Sequence, residues 1–355
     1  MILQRYIGIN MIQGWLLVMA VLGAVFFLIG FTQELERTNN EYTPLAAARY
    51  SLLILPNQLV SLAPVIALLG SIVALAGLDR YNELTVISCT GFPPAKLLLA
   101  ITLPTLLLMG LLWICLEYVT PQLQQQAEQN RQLLREGDGG WIPGGVWSTD
   151  GKRYIHLLRM TEDNTPGFIS LFSFDDSGQL QQALRADTAE VSEDRSWLFQ
   201  DVREKVLEDG QLVTRNHREL DIANLWSSSE LPTLALNHDS MNLSILHQYS
   251  QYLASNGQPY DRFLNRFWQN LLMPLTVWAM VLLATPLSAS VTAGRDRSYG
   301  VNIGIGAIVG ILFYLGSQII FSLGQLLNWS IPLVALLPTL VILACALMLL
   351  RRMRW

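Results

Sequence analysis

Six runs of this chain are apolar over about 20 residues or more, the length a helix needs to cross a bilayer core. They are Met11–Phe31, Leu52–Leu78, Leu97–Tyr118, Leu271–Ser290, Val301–Leu323 and Ile331–Leu350. No other feature constrains the fold as strongly, because in lipid every backbone polar group must be satisfied within the segment. Composition agrees. Half of the residues are hydrophobic and only 14% are charged, against about a quarter in soluble domains. Disorder is excluded by the apolar content and by a net charge of only -5. The first run is longer than the h-region of a signal peptide, and no small-residue cleavage site follows it. No basic face suited to nucleic acid is present.

Orientation follows from Lys and Arg in the short loops. Arg5, Arg80, Lys96, Arg295, Arg297, Arg351, Arg352 and Arg354 fall in segments that six spans place on one side. Only Asp79, Glu83 and Asp296 oppose them. The other short loop, Gln33–Arg49, carries Arg37 and Arg49 against Glu34, Glu36 and Glu41. Both termini are therefore expected in the cytoplasm. The long segment Thr120–Arg266 holds 13 basic and 21 acidic residues and is expected outside. Long domains translocate largely regardless of charge.

That segment reads as strands at Tyr154–Met160, Phe168–Phe174, Thr188–Val191 and Trp197–Val202. They are short, β-branched or aromatic, and partly alternating. Pro166-Gly167, Asp176-Ser177-Gly178 and Asp209-Gly210 are the expected turns, and Trp141 the expected opening. The spacing suits a sandwich, barrel or jelly roll. Helices are predicted on both flanks. Pro121–Leu134 continues the third span outward, with Pro121 near a helix start. Ser244–Ser255 stops at Asn256-Gly257. The domain reads either as a spacer or as a docking module that adds strands to a partner's sheet.

Much chemistry is absent. Gly151-Lys152 is followed by Arg153 and preceded five positions earlier by Val146, so there is no Walker A motif. The four histidines (His156, His217, His238 and His247) show no HExxH or close metal spacing, and no GxSxG occurs. No disulfide scaffold is expected from Cys89, Cys115 and Cys345. Five of the six spans lack ionisable residues, and Glu117 lies at the outer end of the third. Ion coupling and intramembrane catalysis are both disfavoured. Any transport must draw its energy from a partner.

The informative cytoplasmic segment is Leu78–Lys96 (LDRYNELTVISCTGFPPAK). A short helix is predicted over Asp79–Cys89, with Arg80, Leu84 and Ile87 on one face and Glu83 beside them. Gly91 and Pro93-Pro94 would end it. Such a helix has the size of a part that plugs into a groove of a soluble subunit. An ordinary capped connection is the other reading. Span five carries Gly300, Gly304, Gly306, Gly310, Gly316 and Gly324, a spacing that permits close helix contact in lipid. Pro56, Pro64, Pro274 and Pro286 are compatible with kinked helices.

These residues resemble the LptF/LptG permease family. The resemblance is carried by Arg5–Gly8 (RYIG), Asn82-Glu83-Leu84 with Gly91-Phe92 (NEL…GF), and Thr120–Gln122 (TPQ). It extends to Ala284–Ser288 (ATPLS), to Leu312–Gln318 (LFY…Q), and to the layout of three spans, domain, three spans. It implies a type VI-like ABC exporter permease: a membrane α-helical protein of six transmembrane helices with an inserted periplasmic all-β jelly-roll domain. Residues 1–120 would hold spans one to three with a coupling helix at 79–92. The periplasmic domain with its flanking helices would cover 121–266, and spans four to six 267–355.

The family implies export of lipopolysaccharide from the inner membrane through a heterodimer of LptF and LptG. Two LptB subunits would hydrolyse ATP with Mg, so this chain would be no enzyme and bind no cofactor. LptC and LptA would supply the periplasmic bridge. By position, Glu83 matches the glutamate that contacts LptB, flanked by Arg80 and Leu84. Arg131 falls where the family places a basic group just outside span three, against lipid phosphate or inner-core groups, with Arg135 a further candidate for the phosphate, and Arg37 falls in the basic cluster after span one. There the sequence departs from the family pattern, with Gly30 and Glu36 at two of the lysine positions. Phe26, Phe27 and Phe313 are the candidates for the acyl-chain cavity. The alternative function is a non-transporting membrane scaffold whose β domain recruits partners.

Overall fold

A computed structural model describes the whole chain except residues 1, 40, 81–82, 84–85, 87–93, 137–140, 150–151, 161–164, 176, 193, 195, 209–210, 224, 226–239, 256–257, 259, 293–298, 328 and 353–355. The helices are α1 (Ile2–Leu35), α2 (Pro44–Ser61), α3 (Ala63–Arg80), α4 (Pro94–Ile114), α5 (Thr120–Glu136), α6 (Leu243–Ser255), α7 (Asp261–Thr292), α8 (Tyr299–Leu326) and α9 (Ile331–Arg352). The strands are β1 (Trp141–Thr149), β2 (Arg153–Met160), β3 (Pro166–Phe174), β4 (Leu180–Val191), β5 (Trp197–Glu208) and β6 (Gln211–Ile222). The chain divides into two units. One comprises Met1–Glu34, Ser51–Gln122 and Leu264–Trp355, and the other Leu35–Tyr50 and Leu123–Phe263.

The first unit is helical. Among the described residues five helices are long and apolar enough to cross a membrane, and the pair α2 and α3 makes a sixth crossing if counted as one. That pair differs from the continuous second span read from sequence. It bends by 73° at Leu62. Pro64 explains the break, because it has no N–H to give and its ring clashes with the carbonyl four residues earlier. In the first turn of α3 the same proline is harmless. By contrast α7 runs through Pro274 and Pro286 as one helix.

Two helices form the centre of this unit. One apolar cluster joins Ile7, Met11 and Trp15 of α1 to Ala67 and Leu75 of α3, Ile101 of α4 and Val277 of α7. A second joins Leu68 and Ile72 of α3 to Met280 and Leu283 of α7 and Ala346 of α9. So α3 and α7 are wrapped on two faces, and α1 and α8 are largely bare. The Thr276 and Thr339 hydroxyls share a buried hydrogen bond of 2.7 Å between α7 and α9, a polar tie of the kind that joins helices in lipid.

Close crossings are made by glycine, though at only some of the positions expected. A Cβ on Gly14 of α1 would lie 2.3 Å from the Gly70 carbonyl oxygen of α3, and one on Gly70 would lie 2.7 Å from the Trp15 Cα. Beside this contact Trp15 Nε1 donates to Ser71 Oγ at 3.0 Å. On α8, Gly306 rests against Ile72, Gly310 against Val65 and Gly324 against Val334. Gly304 and Gly316 have open space where a side chain would stand.

After α4 comes a π turn, Cys115–Val119, and then α5. Pro121 stands in the first turn of α5, near a helix start as expected, and the π turn joins α5 to α4 so that the third span continues outward. The wider turn before it absorbs the missing donor. The Thr120 amide and its Oγ1 both donate to the Cys115 carbonyl, the latter at 3.1 Å.

The described residues of the second unit form an antiparallel sheet of six strands in the order β1-β2-β3-β4-β5-β6. The strands exceed the sequence reading: β1 is a full strand from the expected opening at Trp141, and β5 runs on to Glu208 rather than ending at Val202. β4 begins at Leu180 rather than Thr188, and β6 was not foreseen because QLVTRNHRELDI is too polar to show alternation. Pro166-Gly167 opens β3 instead of forming a turn. Asp175 orders the next turn, accepting from the Ser177 and Gln179 amides at 2.9 and 2.8 Å and from the Ser177 hydroxyl. These bonds, with the Ser177 hydroxyl foremost, hold its carboxyl below the usual range. Asp209-Gly210 lies outside the described residues.

Ile155, Leu157, Ile169, Leu171, Leu184, Ala186, Trp197 and Phe199 fill the covered face of the sheet. Glu204 is also buried. It is compensated by Gln182, whose amide donates to Oε1 at 2.5 Å, and by His217 Nε2 at 2.8 Å from Oε2. A buried carboxylate without such partners would be costly.

Helix α6 buries Leu246, Tyr249, Ser250 and Leu253. Tyr249 packs edge-on to Phe263 and stacks with Tyr252. Burial pushes its phenol up to about 12, with a smaller contribution from Tyr252. Below pH 10 the group is neutral whether folded or unfolded. Between 10 and about 12 only the unfolded phenol ionises, so stability is expected to fall by about 1.4 kcal/mol per pH unit in that window. Denaturation of wild type and Tyr249→Phe at pH 9 to 12 measures it. The variant should lose less stability over this range, and parallel curves would refute the prediction.

Candidate functional site

Glu83 is the one residue of the expected docking face whose side chain is described. It is half-buried and helical, and it accepts a hydrogen bond from the Tyr6 hydroxyl of α1 at 2.8 Å. Arg80 belongs to the last turn of α3, so the predicted helix start at Asp79 is instead a continuation of the second span. Leu84, Ile87 and Gly91 lie outside the described residues. Pro94 then begins α4, where its missing N–H costs nothing.

The basic candidates lie in the second unit. Arg131 of α5 is held by Tyr50. Its Nη1 donates to the phenol oxygen at 2.9 Å, and its guanidinium carbon stands 5.0 Å from the ring centroid. This combines a hydrogen bond with a cation–π contact. Arg131 is thus fixed in place, although guanidinium, with five N–H donors, can serve several acceptors. Arg135 lies one helical turn further along α5. Arg37 is exposed, just past the end of α1. The turn after it is ordered by Asn39, whose Oδ1 accepts from the Glu41 and Tyr42 amides at 3.0 and 2.5 Å.

The aromatic candidates lie in the first unit and are not gathered into one contact. Phe27 stacks on Phe31 at 5.9 Å and 5°, while Phe26 is half-buried on the same helix. Phe313 of α8 packs against the cluster formed by α3, α7 and α9. Sequence reasoning missed Tyr6 and Tyr50. Each lies 77 or more positions from its partner, and no local pattern marks such a pair. Among the described residues no group of three or more His, Cys, Asp or Glu could hold a metal ion.

Residues 5–352 match the family described as lipopolysaccharide export system permease LptF/LptG. The chain belongs to this family. It is 29% identical over 362 residues to the lipopolysaccharide export system permease protein LptG of Haemophilus influenzae, covering 99% of both chains. It is also 29% identical over 347 residues to the protein of that name from Escherichia coli K12, covering 95% of this chain and 94% of the relative. This is an LptG-type permease: a multi-pass membrane protein with an inserted β domain.

Proposed function

We propose that this chain is the LptG-type half of an ATP-driven lipopolysaccharide exporter. It pairs with LptF, takes its energy from two LptB subunits, and acts with LptC. It extracts lipopolysaccharide from the outer leaflet of the inner membrane toward a periplasmic β bridge containing LptA. The family match across residues 5–352 carries this reading. Glu83 on the cytoplasmic side is the contact to LptB, with Arg80 and Leu84 next to it. The placement of basic loops on one side supports cytoplasmic termini and a periplasmic β domain. ATP and Mg belong to LptB, because this chain has no phosphate-binding loop.

The lipid would meet Phe26 and Phe27 along the bare face of α1 and Phe313 of α8, with Arg37, Arg131 and Arg135 toward its phosphates. Guanidinium suits phosphate through paired hydrogen bonds. A photoreactive residue at Phe27 or Arg131, in membranes holding the full complex, tests the path. An adduct to lipopolysaccharide that falls during ATP turnover is the expected result. No adduct at either position in an intact complex would favour the scaffold reading.

A further inference from the structure

Tyr6 and Glu83 are exposed or half-buried at one end of the helical unit, and their hydrogen bond is 2.8 Å long. At such a site a bond adds little to folding, because water competes for both groups. Its effect on the carboxylate is larger. A free glutamate samples several rotamers, and one tied to a phenol on a neighbouring helix is confined to a few. Tyr6 occupies Oε2 only. A carboxylate accepts through both oxygens, about four lone pairs in all, so the same group can still receive a cation.

The helix bearing Tyr6 is the second part of the argument. α1 runs for 34 residues with no proline. Phe26 and Phe27 lie 20 and 21 positions after Tyr6 on that helix, about 30 Å along its axis at 1.5 Å per residue. Between the two, α1 is pinned to α3 by the Gly14 and Gly70 crossing and by Trp15 and Ser71. A pull on Tyr6 therefore acts on a stiff element with a fixed fulcrum.

We infer that Tyr6 is a positioning residue for the ATPase partner. Its phenol holds the Glu83 carboxylate against α1, so that the partner's cationic side chain meets a pre-oriented acceptor and movement of the dock is passed directly to α1. This rests on the proposed role of Glu83 and adds the residue through which that role reaches a membrane helix.

The test uses the whole exporter complex with Tyr6→Phe, Glu83→Gln and the double variant. The readouts are retention of the ATPase subunit and lipopolysaccharide-stimulated ATP turnover. Tyr6→Phe keeps the ring and its packing. It should weaken retention roughly three- to ten-fold, the range for losing one ordinary hydrogen bond at a site open to water. The double variant should be no worse than Glu83→Gln alone, because Tyr6 acts through that carboxylate. Replacing Tyr6 by 4-aminophenylalanine restores a donor and should recover the dock. If Glu83→Gln weakens docking and Tyr6→Phe does not, the inference fails and the dock stands. If neither does, the dock itself is wrong. Effects that multiply in the double variant, or tighter docking of Tyr6→Phe, also overturn it.

Discussion

Glu83→Lys is expected to abolish lipopolysaccharide-stimulated ATP turnover in the assembled complex while the permease itself remains folded. The position is half-buried, its carboxylate accepts a hydrogen bond from Tyr6, and it belongs to neither apolar cluster, so the fold does not depend on it. Docking does. A carboxylate offered to a cationic groove is replaced by a second cation, which removes an attraction and adds a repulsion. Truncating one member of a hydrogen-bonded interfacial charge pair typically costs about 2–5 kcal/mol. At 1.4 kcal/mol per decade that is roughly a 30- to 4000-fold loss, and charge reversal exceeds simple truncation. Size-exclusion chromatography would show an intact permease pair with little ATPase subunit attached. A compensating acidic residue in the groove of the ATPase should restore part of the binding. Normal retention and turnover by Glu83→Lys would disprove the dock.

How far the sequence could be read depended on the range of the interaction. Membrane spans were legible because a run such as Ile331–Leu350 states its environment by composition alone, and α9 covers it. Strands with hydrophobic alternation, such as Phe168–Phe174, were equally legible. β6 was not, because an edge strand paired on one side carries polar residues on much of its surface. The break at Leu62 was foreshadowed by Pro64, but its 73° angle depends on how α2 and α3 pack. Pro121 marked the start of α5, but no local signal announced the π turn that joins it to α4. The glycines of α8 were visible as a stripe, yet only the packing decides that Gly306 and Gly310 touch α3 while Gly304 does not. Within the candidate site the motifs RYIG and NEL were conspicuous separately. That Tyr6 of one bonds Glu83 of the other is a long-range fact, and so is the Tyr50 and Arg131 pair.

The other large effect expected is structural, at Gly70. Helices in lipid gain little from hiding apolar surface and depend on close packing and polar ties. Here α1 and α3 meet backbone to backbone. A Cβ on Gly70 would stand 2.7 Å from the Trp15 Cα and 2.8 Å from its amide nitrogen. No rotamer relieves a clash with main-chain atoms, so Gly70→Leu must push the helices apart. Separation also breaks the bond from Trp15 Nε1 to Ser71 Oγ, whose residues are 4% and 0% exposed. It further unseats Ile7 and Met11 from the cluster they share with Ala67 and Leu75. Overpacking of about 1–3 kcal/mol and an orphaned buried hydrogen-bond pair of about 1–3 kcal/mol add to a loss of roughly 2–6 kcal/mol. Gly70→Ala should show the smaller part of this. Gly316→Leu is the control, since nothing stands within 4 Å of the added Cβ. Thermal unfolding of the purified chain in detergent, followed by tryptophan emission, should rank the variants in the order Gly316→Leu, Gly70→Ala, Gly70→Leu. If Gly70→Leu melts with the wild type, α1 does not cross α3 at this point. The fulcrum assigned to α1 would then be lost, although the bond between Tyr6 and Glu83 would remain to be tested on its own terms.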